Sequence, residues 1–86
     1  MAYYRIEWKP SAAKELKRLP RDEIPRIVTA VEALASNAFP QGVVPLKGSR
    51  HTYRLRVGDY RVVYTVEDDV LRIEIVRVRH RRDVYR

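Results

Sequence analysis

Six residues of this chain carry side chains suited to work on a phosphodiester: Arg54, Arg56, Arg61, His80, Arg81 and Tyr85. A guanidinium is planar, permanently charged and binds phosphate through two parallel N–H donors. It stabilises the charge that develops on a phosphorane-like transition state without taking up a proton. Histidine gives or takes a proton near neutral pH. Tyrosine donates a hydrogen bond, stacks on a base or passes on a proton. RNA brings its own nucleophile, the 2′-hydroxyl. A site that aligns that hydroxyl and neutralises the phosphate is compatible with metal-free cleavage through a 2′,3′-cyclic phosphate. Arginine is too basic to serve readily as the general base, which leaves that role to His80, Tyr85 or groups outside the chain. The competing account is that His80 and Tyr85 belong to a tail that packs on the sheet.

Three of the arginines sit in the stretch 53–64, YRLRVGDYRVVY. It alternates apolar and polar residues on either side of Gly58-Asp59, a two-residue connection that favours a tight hairpin. The expected register sets Val57 against Tyr60, Arg56 against Arg61, Leu55 against Val62, Arg54 against Val63 and Tyr53 against Tyr64. One face is then apolar and the other carries Arg54, Arg56 and Arg61. Like charges directly opposite on a sheet are destabilising. Such a pair calls for a nearby acid or an anionic partner.

A next strand at Val70–Val78 follows an acidic turn, Asp68-Asp69. Pairing around those two residues puts Leu71, Ile73 and Ile75 beside Val66, Tyr64 and Val62. The open face then reads in rows: Arg54, Val63 and Glu74, then Arg56, Arg61 and Val76. Glu74 is placed to neutralise Arg54, whereas Arg56 and Arg61 have no acid in their row. Residues 79–86, RHRRDVYR, have no core pattern and read as a tail that swings over the arginine face.

The rest of the chain is scaffold. Tyr4, Ile6 and Trp8 lie on one side of a first strand. Ser11 is the expected N-cap of a helix with Ala12, Leu16 and Leu19 on one face, ended by Pro20. A second helix starts near Asp22, tolerates Pro25 in its first turn and sets Ile24, Ile27, Val28, Val31, Leu34 and Ala35 in one apolar stripe. The lysines and arginines on the outer faces of both helices (Lys14, Lys17, Arg18, Arg21, Arg26) read as solvated surface. Residues 37–49 read as loop.

Composition narrows the function. The formal charge is +7, and within residues 44–86 ten of the eleven cations are arginine. An arginine-biased basic half is the footprint of a polyanion binder. There are no cysteines, so disulfides and Cys-ligated metals are excluded; this suits a reducing cytosol, and a cytoplasmic location is expected. Two histidines are too few for a convincing metal site, and the three glycines are scattered, so no phosphate-binding glycine loop exists. No cofactor is expected. No apolar run is long enough for a membrane span.

The segments SAAKELKRLP (11–20), PLKGS (45–49), YRLRVGDYRVVYTV (53–66) and HRRDVYR (80–86) resemble the RelE/ParE superfamily of toxins from type II toxin–antitoxin modules, in order and over essentially the whole chain. The resemblance implies one α+β domain, residues 1–86, of order β-α-α-β-β-β, a two-helix hairpin packed on one face of a small antiparallel sheet. It implies an acidic RelB-like antitoxin, in a hetero-oligomeric complex. RelE-like members cleave mRNA in the ribosomal A site; ParE-like members poison DNA gyrase. By the resemblance to the first branch, Arg56, Arg61, Arg81, Tyr85 and His80 are the candidate catalytic residues, and Arg54, Lys47 and Arg82 the RNA-binding ones. The terminal His-Arg-Arg-Asp-Val-Tyr favours that branch. A non-enzymatic reading stays open, in which the basic face exists only for the antitoxin.

Overall fold

The first hairpin forms in the expected register. In the computed structural model, which describes residues 3–83, β3 (Thr52–Val57) and β4 (Tyr60–Glu67) pair antiparallel with Arg56 opposite Arg61 and Tyr53 opposite Tyr64. Gly58 turns the chain with φ +60° and Asp59 keeps a negative φ. Glycine first with only that residue left-handed is the type II′ pattern, whose twist matches the flanking strands.

Before the hairpin come β1 (Arg5–Trp8), α1 (Pro10–Lys17), α2 (Ile24–Ala33) and a short β2 (Val44–Pro45). After it comes β5 (Arg72–His80), followed by a 3₁₀ turn at Arg81–Asp83. The five strands form one sheet in the order β1-β5-β4-β3-β2. β1 runs parallel to β5, and the other neighbours are antiparallel. The expected element order stands, with two additions. Val44–Pro45, expected as loop, makes a short edge strand on β3. Pro10, expected to precede the helix, is its first residue, and Lys9 rather than Ser11 is the N-cap. Proline suits that position because its missing N–H has no intrahelical partner to lose.

Both helices cover the same face. Ala12, Ile27, Val31 and Leu34 pack against Leu55, Val62, Tyr64, Val66, Ile73, Ile75 and Val78. Each fully buried aliphatic or aromatic side chain contributes about 1.5–3 kcal/mol. Tyr64 is the largest fully buried side chain. Its hydroxyl donates to the Ala38 carbonyl at 2.7 Å, so the one polar atom it brings inside is satisfied. Burial, with a smaller contribution from Tyr53, pushes its pKa up to about 12. Among the described residues no helix is long and apolar enough to cross a membrane.

The second hairpin departs from expectation. Its loop is Asp68–Leu71, four residues rather than two, so Glu67 pairs with Arg72 and Val66 with Ile73. Leu71, expected in the core, is instead a turn residue at φ 51° and is exposed. A second shift follows: Tyr64 pairs with Ile75 but Val63 pairs with Arg77, so Val76 is an extra residue on β5. Such a bulge flips the alternation. Without it, the loop shift alone would set Arg77 against Val62 in the core. With it, Val78 takes that place and is 2% exposed. The cost of burying a guanidinium far exceeds that of a local kink, so the bulge wins.

Candidate functional site

The two shifts decide what lies on the sheet face away from the helices. One row across it is Arg56, Arg61 and Arg79; the next is Arg54, Val63 and Arg77. Opposite residues in an antiparallel pair stand about 5 Å apart at Cβ, so three guanidinium stems share one narrow strip. The expected rows are corrected. Val76 does not sit beside Arg61, and Glu74 does not sit beside Arg54. Glu74 pairs with Thr65 on β4 and with Glu7 on β1. None of the ion pairs among the described residues involves Arg54 or Arg56.

The charges are segregated along the strands. At the Asp68 end, Arg72 binds Glu67 at 2.7 Å and lies 3.8 Å from Glu7, while Arg5 binds Glu7 at 2.8 Å. The arginine row lies toward the other end, near Gly58-Asp59. There Arg56 Nε donates to the Gly58 carbonyl at 3.1 Å, which holds its stem against the turn and leaves its terminal nitrogens outward. Arg61 is half-buried between its two neighbours in the row. Arg79 reaches round the sheet edge, and its Nε donates to Glu15 on α1 at 3.1 Å.

Arg81 joins this end of the sheet. Its backbone N–H donates to the Asp59 carbonyl at 2.7 Å, and its Nε lies 3.9 Å from the Asp59 carboxylate. That pins the 3₁₀ turn onto the Gly58-Asp59 loop. The Arg81 side chain is 58% exposed, so the contact constrains it only loosely.

His80 goes elsewhere. It pairs with Tyr60, on the helix side of the sheet, and the two rings meet edge to face at 5.3 Å. Its Nδ1 accepts the Arg82 N–H at 3.3 Å. A neutral imidazole with Nδ1 accepting carries its proton on Nε2. His80 therefore steadies the start of the tail as an acceptor, on the opposite face from the arginine row. The expected tail starts later than its sequence suggested: Arg79 and His80 are the last residues of β5. Arg82 is exposed. Tyr85 lies outside the described residues.

Lys47 is also apart from the row. It follows β2 in the loop beside Thr52, where Leu46 N–H donates to the Thr52 carbonyl at 2.9 Å. Along β3 this is four residues, or roughly 13 Å, from Arg56.

Arg77 and Arg79 were missed by sequence reasoning, which assigned them to the last strand's end and the tail. A signal was present. Ile75-Val76 sets two apolar residues side by side, and Val76-Arg77-Val78-Arg79 then resumes the alternation in the other phase. A doubled apolar residue inside a strand is how a bulge looks in sequence.

Comparison with known proteins supplies the context. A family model described as the ParE toxin of a type II toxin–antitoxin system, parDE, matches residues 6–85. The chain is 32% identical over 88 residues to the toxin RelG of Mycobacterium tuberculosis, covering 96% of this chain and 97% of that one. In structure it is similar to a chain of an archaeal RelE–RelB complex from Pyrococcus horikoshii OT3, with a TM-score of 0.82, 30% identity, and 92% and 96% of the two chains covered. It is also similar to a chain of the toxin–antitoxin complex RelBE2 of M. tuberculosis, with a TM-score of 0.79, 26% identity, and 94% and 100% covered.

Proposed function

The chain belongs to the RelE/ParE superfamily of type II toxins, and we propose that within it the chain is a RelE-like endoribonuclease that cuts mRNA in the ribosomal A site. The observation that carries this is the row Arg56–Arg61–Arg79 on the sheet face away from the helices. Three arginines on three adjacent strands form a preorganised anion cradle, which costs little to assemble when a phosphate arrives. Arg56 and Arg61 hold the scissile phosphate. Arg81, pinned beside them through Asp59, stabilises the leaving oxygen. Arg54, Lys47 and Arg82 bind backbone phosphates on either side.

The chemistry proposed is attack by the RNA 2′-hydroxyl on the adjacent phosphorus, forming a 2′,3′-cyclic phosphate and releasing the 5′-hydroxyl of the next nucleotide. The proton leaves the 2′-hydroxyl and one returns to the departing oxygen. His80 faces the helices, which supports a positioning role for it through the Arg82 N–H. Proton transfer then falls to Tyr85 or to groups of the ribosome. The neutralising partner is an acidic RelB-like antitoxin, and a ribosomal target sets the action in the cytoplasm.

In vitro translation with mapping of mRNA ends tests this. The wild type yields codon-phased cuts, and the double variant Arg61→Ala, Arg81→Ala yields few or none. Undiminished cutting by that variant would sink the site assignment. The name of the matching family model favours a second reading, a ParE-like toxin that inhibits DNA gyrase without cutting RNA. It predicts loss of supercoiling activity with intact mRNA. The RelE-type relatives and structures weigh against it.

A further inference from the structure

β1 pairs with β5 only along Arg72–Ile75, so the far half of β5 has a free edge among the described residues. α1 runs beside that edge. Between them lies a groove of 340 Å³ lined by Lys9, Lys14, Arg18, Arg77 and Arg79, with Glu15 as its one acid among the described residues. Ser11, Lys14, Glu15 and Arg18 fall at helical spacings of three and four, so one face of α1 looks into the groove. Both oxygens of Glu15 are already engaged: one accepts the Val78 N–H at 2.9 Å and the other the Arg79 Nε at 3.1 Å. The groove therefore keeps a large positive excess. Lys14 and Arg18, which read as solvated surface in the sequence, are set here against Arg77.

We propose that this groove is a second anchoring site for RNA backbone phosphates, continuing the arginine row over the edge of the sheet. It rests on the RNA-cleaving reading above. The continuity is through β5 itself. Arg79 belongs to the row with Arg61 and Arg56, and it also lines the groove. A strand of RNA held on Arg56 and Arg61 leaves the sheet across Arg79 and meets Lys14 and Arg18 next. The lining favours a phosphate backbone over a protein. Protein interfaces are centred on apolar and aromatic anchors and are depleted in lysine. Among the described residues, the one apolar residue lining the groove is Val76, the bulge residue. Phosphate contacts, by contrast, come from lysine and arginine without any apolar anchor.

The test uses the full chain and the double variant Lys14→Ala, Arg18→Ala. Both residues are exposed, so the fold tolerates their loss, and circular dichroism verifies it. Binding is measured against salt with a single-stranded oligoribonucleotide made non-cleavable by 2′-O-methylation, and with ribosomes free of mRNA. Each lost phosphate contact lowers the slope of log affinity against log salt by about 0.7 on a single strand, so two contacts lower it by about 1.4. A loss seen with the oligonucleotide assigns the groove to the message. A loss seen only with ribosomes assigns it to ribosomal RNA. Either supports the proposal. Slopes equal to wild type with both probes overturn it, while an Arg56→Ala variant that still loses affinity keeps the catalytic face intact. Unchanged RNA binding with weakened antitoxin binding also overturns it, and makes the groove a protein contact. If the wild type itself binds neither probe, the RNA-cleaving reading fails, and this proposal with it.

Discussion

Arg61 and Arg79 stand directly opposite each other on β4 and β5, and the single extra residue Val76 puts them there. Because the bulge flips the alternation of β5, Arg79 faces outward while its neighbour Val78 closes the core. One local irregularity thus serves both the stability of the fold and the charge of the open face. Replacing Arg79 with Ala should lower single-turnover cleavage of mRNA by about a hundredfold, the scale of losing one preorganised donor. Deleting Val76 should do less to the fold. It removes the extra residue and joins Ile75 to Arg77, which keeps Arg77 opposite Val63, Val78 opposite Val62 and Arg79 opposite Arg61 in an unbroken alternation. A urea titration should give the deletion variant a midpoint near wild type, and a loss of more than about 3 kcal/mol would contradict the register assigned to the bulge.

Glu15 ties α1 to the free edge of β5. Glu15→Ala leaves the Val78 N–H without its acceptor and removes the partner of Arg79. An unsatisfied buried donor costs about 1–3 kcal/mol, which corresponds to a fall in Tm of several degrees in a domain of this size. Glu15→Gln keeps an acceptor for the N–H and loses only the charge. Calorimetry should place its Tm nearer wild type than alanine's. Equal losses would mean that the half-exposed ion pair, not the N–H, carries the effect.

Tyr64 makes stability depend on alkaline pH. Its phenol ionises near the ordinary 10.0 in the unfolded chain and near 12 in the fold, chiefly because it is buried. Below pH 10 both states are protonated and its contribution is fully present. As pH rises from 10 to 12 the unfolded chain sheds the proton first, and stability falls. Tyr64→Phe removes that part of the decline. It also strips the donor from the Ala38 carbonyl, at a cost of about 1 kcal/mol near neutrality. Denaturant midpoints measured from pH 8 to 11 should show a lower but flatter curve for the phenylalanine variant.

His80 offers a clean separation of roles. Asn presents its side-chain oxygen near where His80 Nδ1 accepts the Arg82 N–H, but it cannot carry a proton. His80→Asn should keep at least half the cleavage activity, whereas His80→Ala, which frees the tail, should lose most of it. A full loss in both variants would return His80 to the acid–base chemistry.

The first hairpin was legible from end to end in the sequence because its information is local. Alternation names the buried face, and Gly58-Asp59 leaves only one register. The two-helix stripe was legible for the same reason, down to Ile27, Val31 and Leu34 in the core. The pairing of Arg56 with Arg61 and the arginine bias followed from these alone. The third arginine did not. Its place depends on a four-residue loop and on a bulge, and neither is specified by a turn dipeptide. Both are settled by which side chains the helices can cover: Val78 fits beneath α1 and Arg77 does not. That choice moved Glu74 away from Arg54, brought Arg79 beside Arg61 and turned His80 toward Tyr60. Only the packed structure decides it, because the energy that selects the register comes from residues sixty positions apart in the chain, as when Glu15 meets Val78.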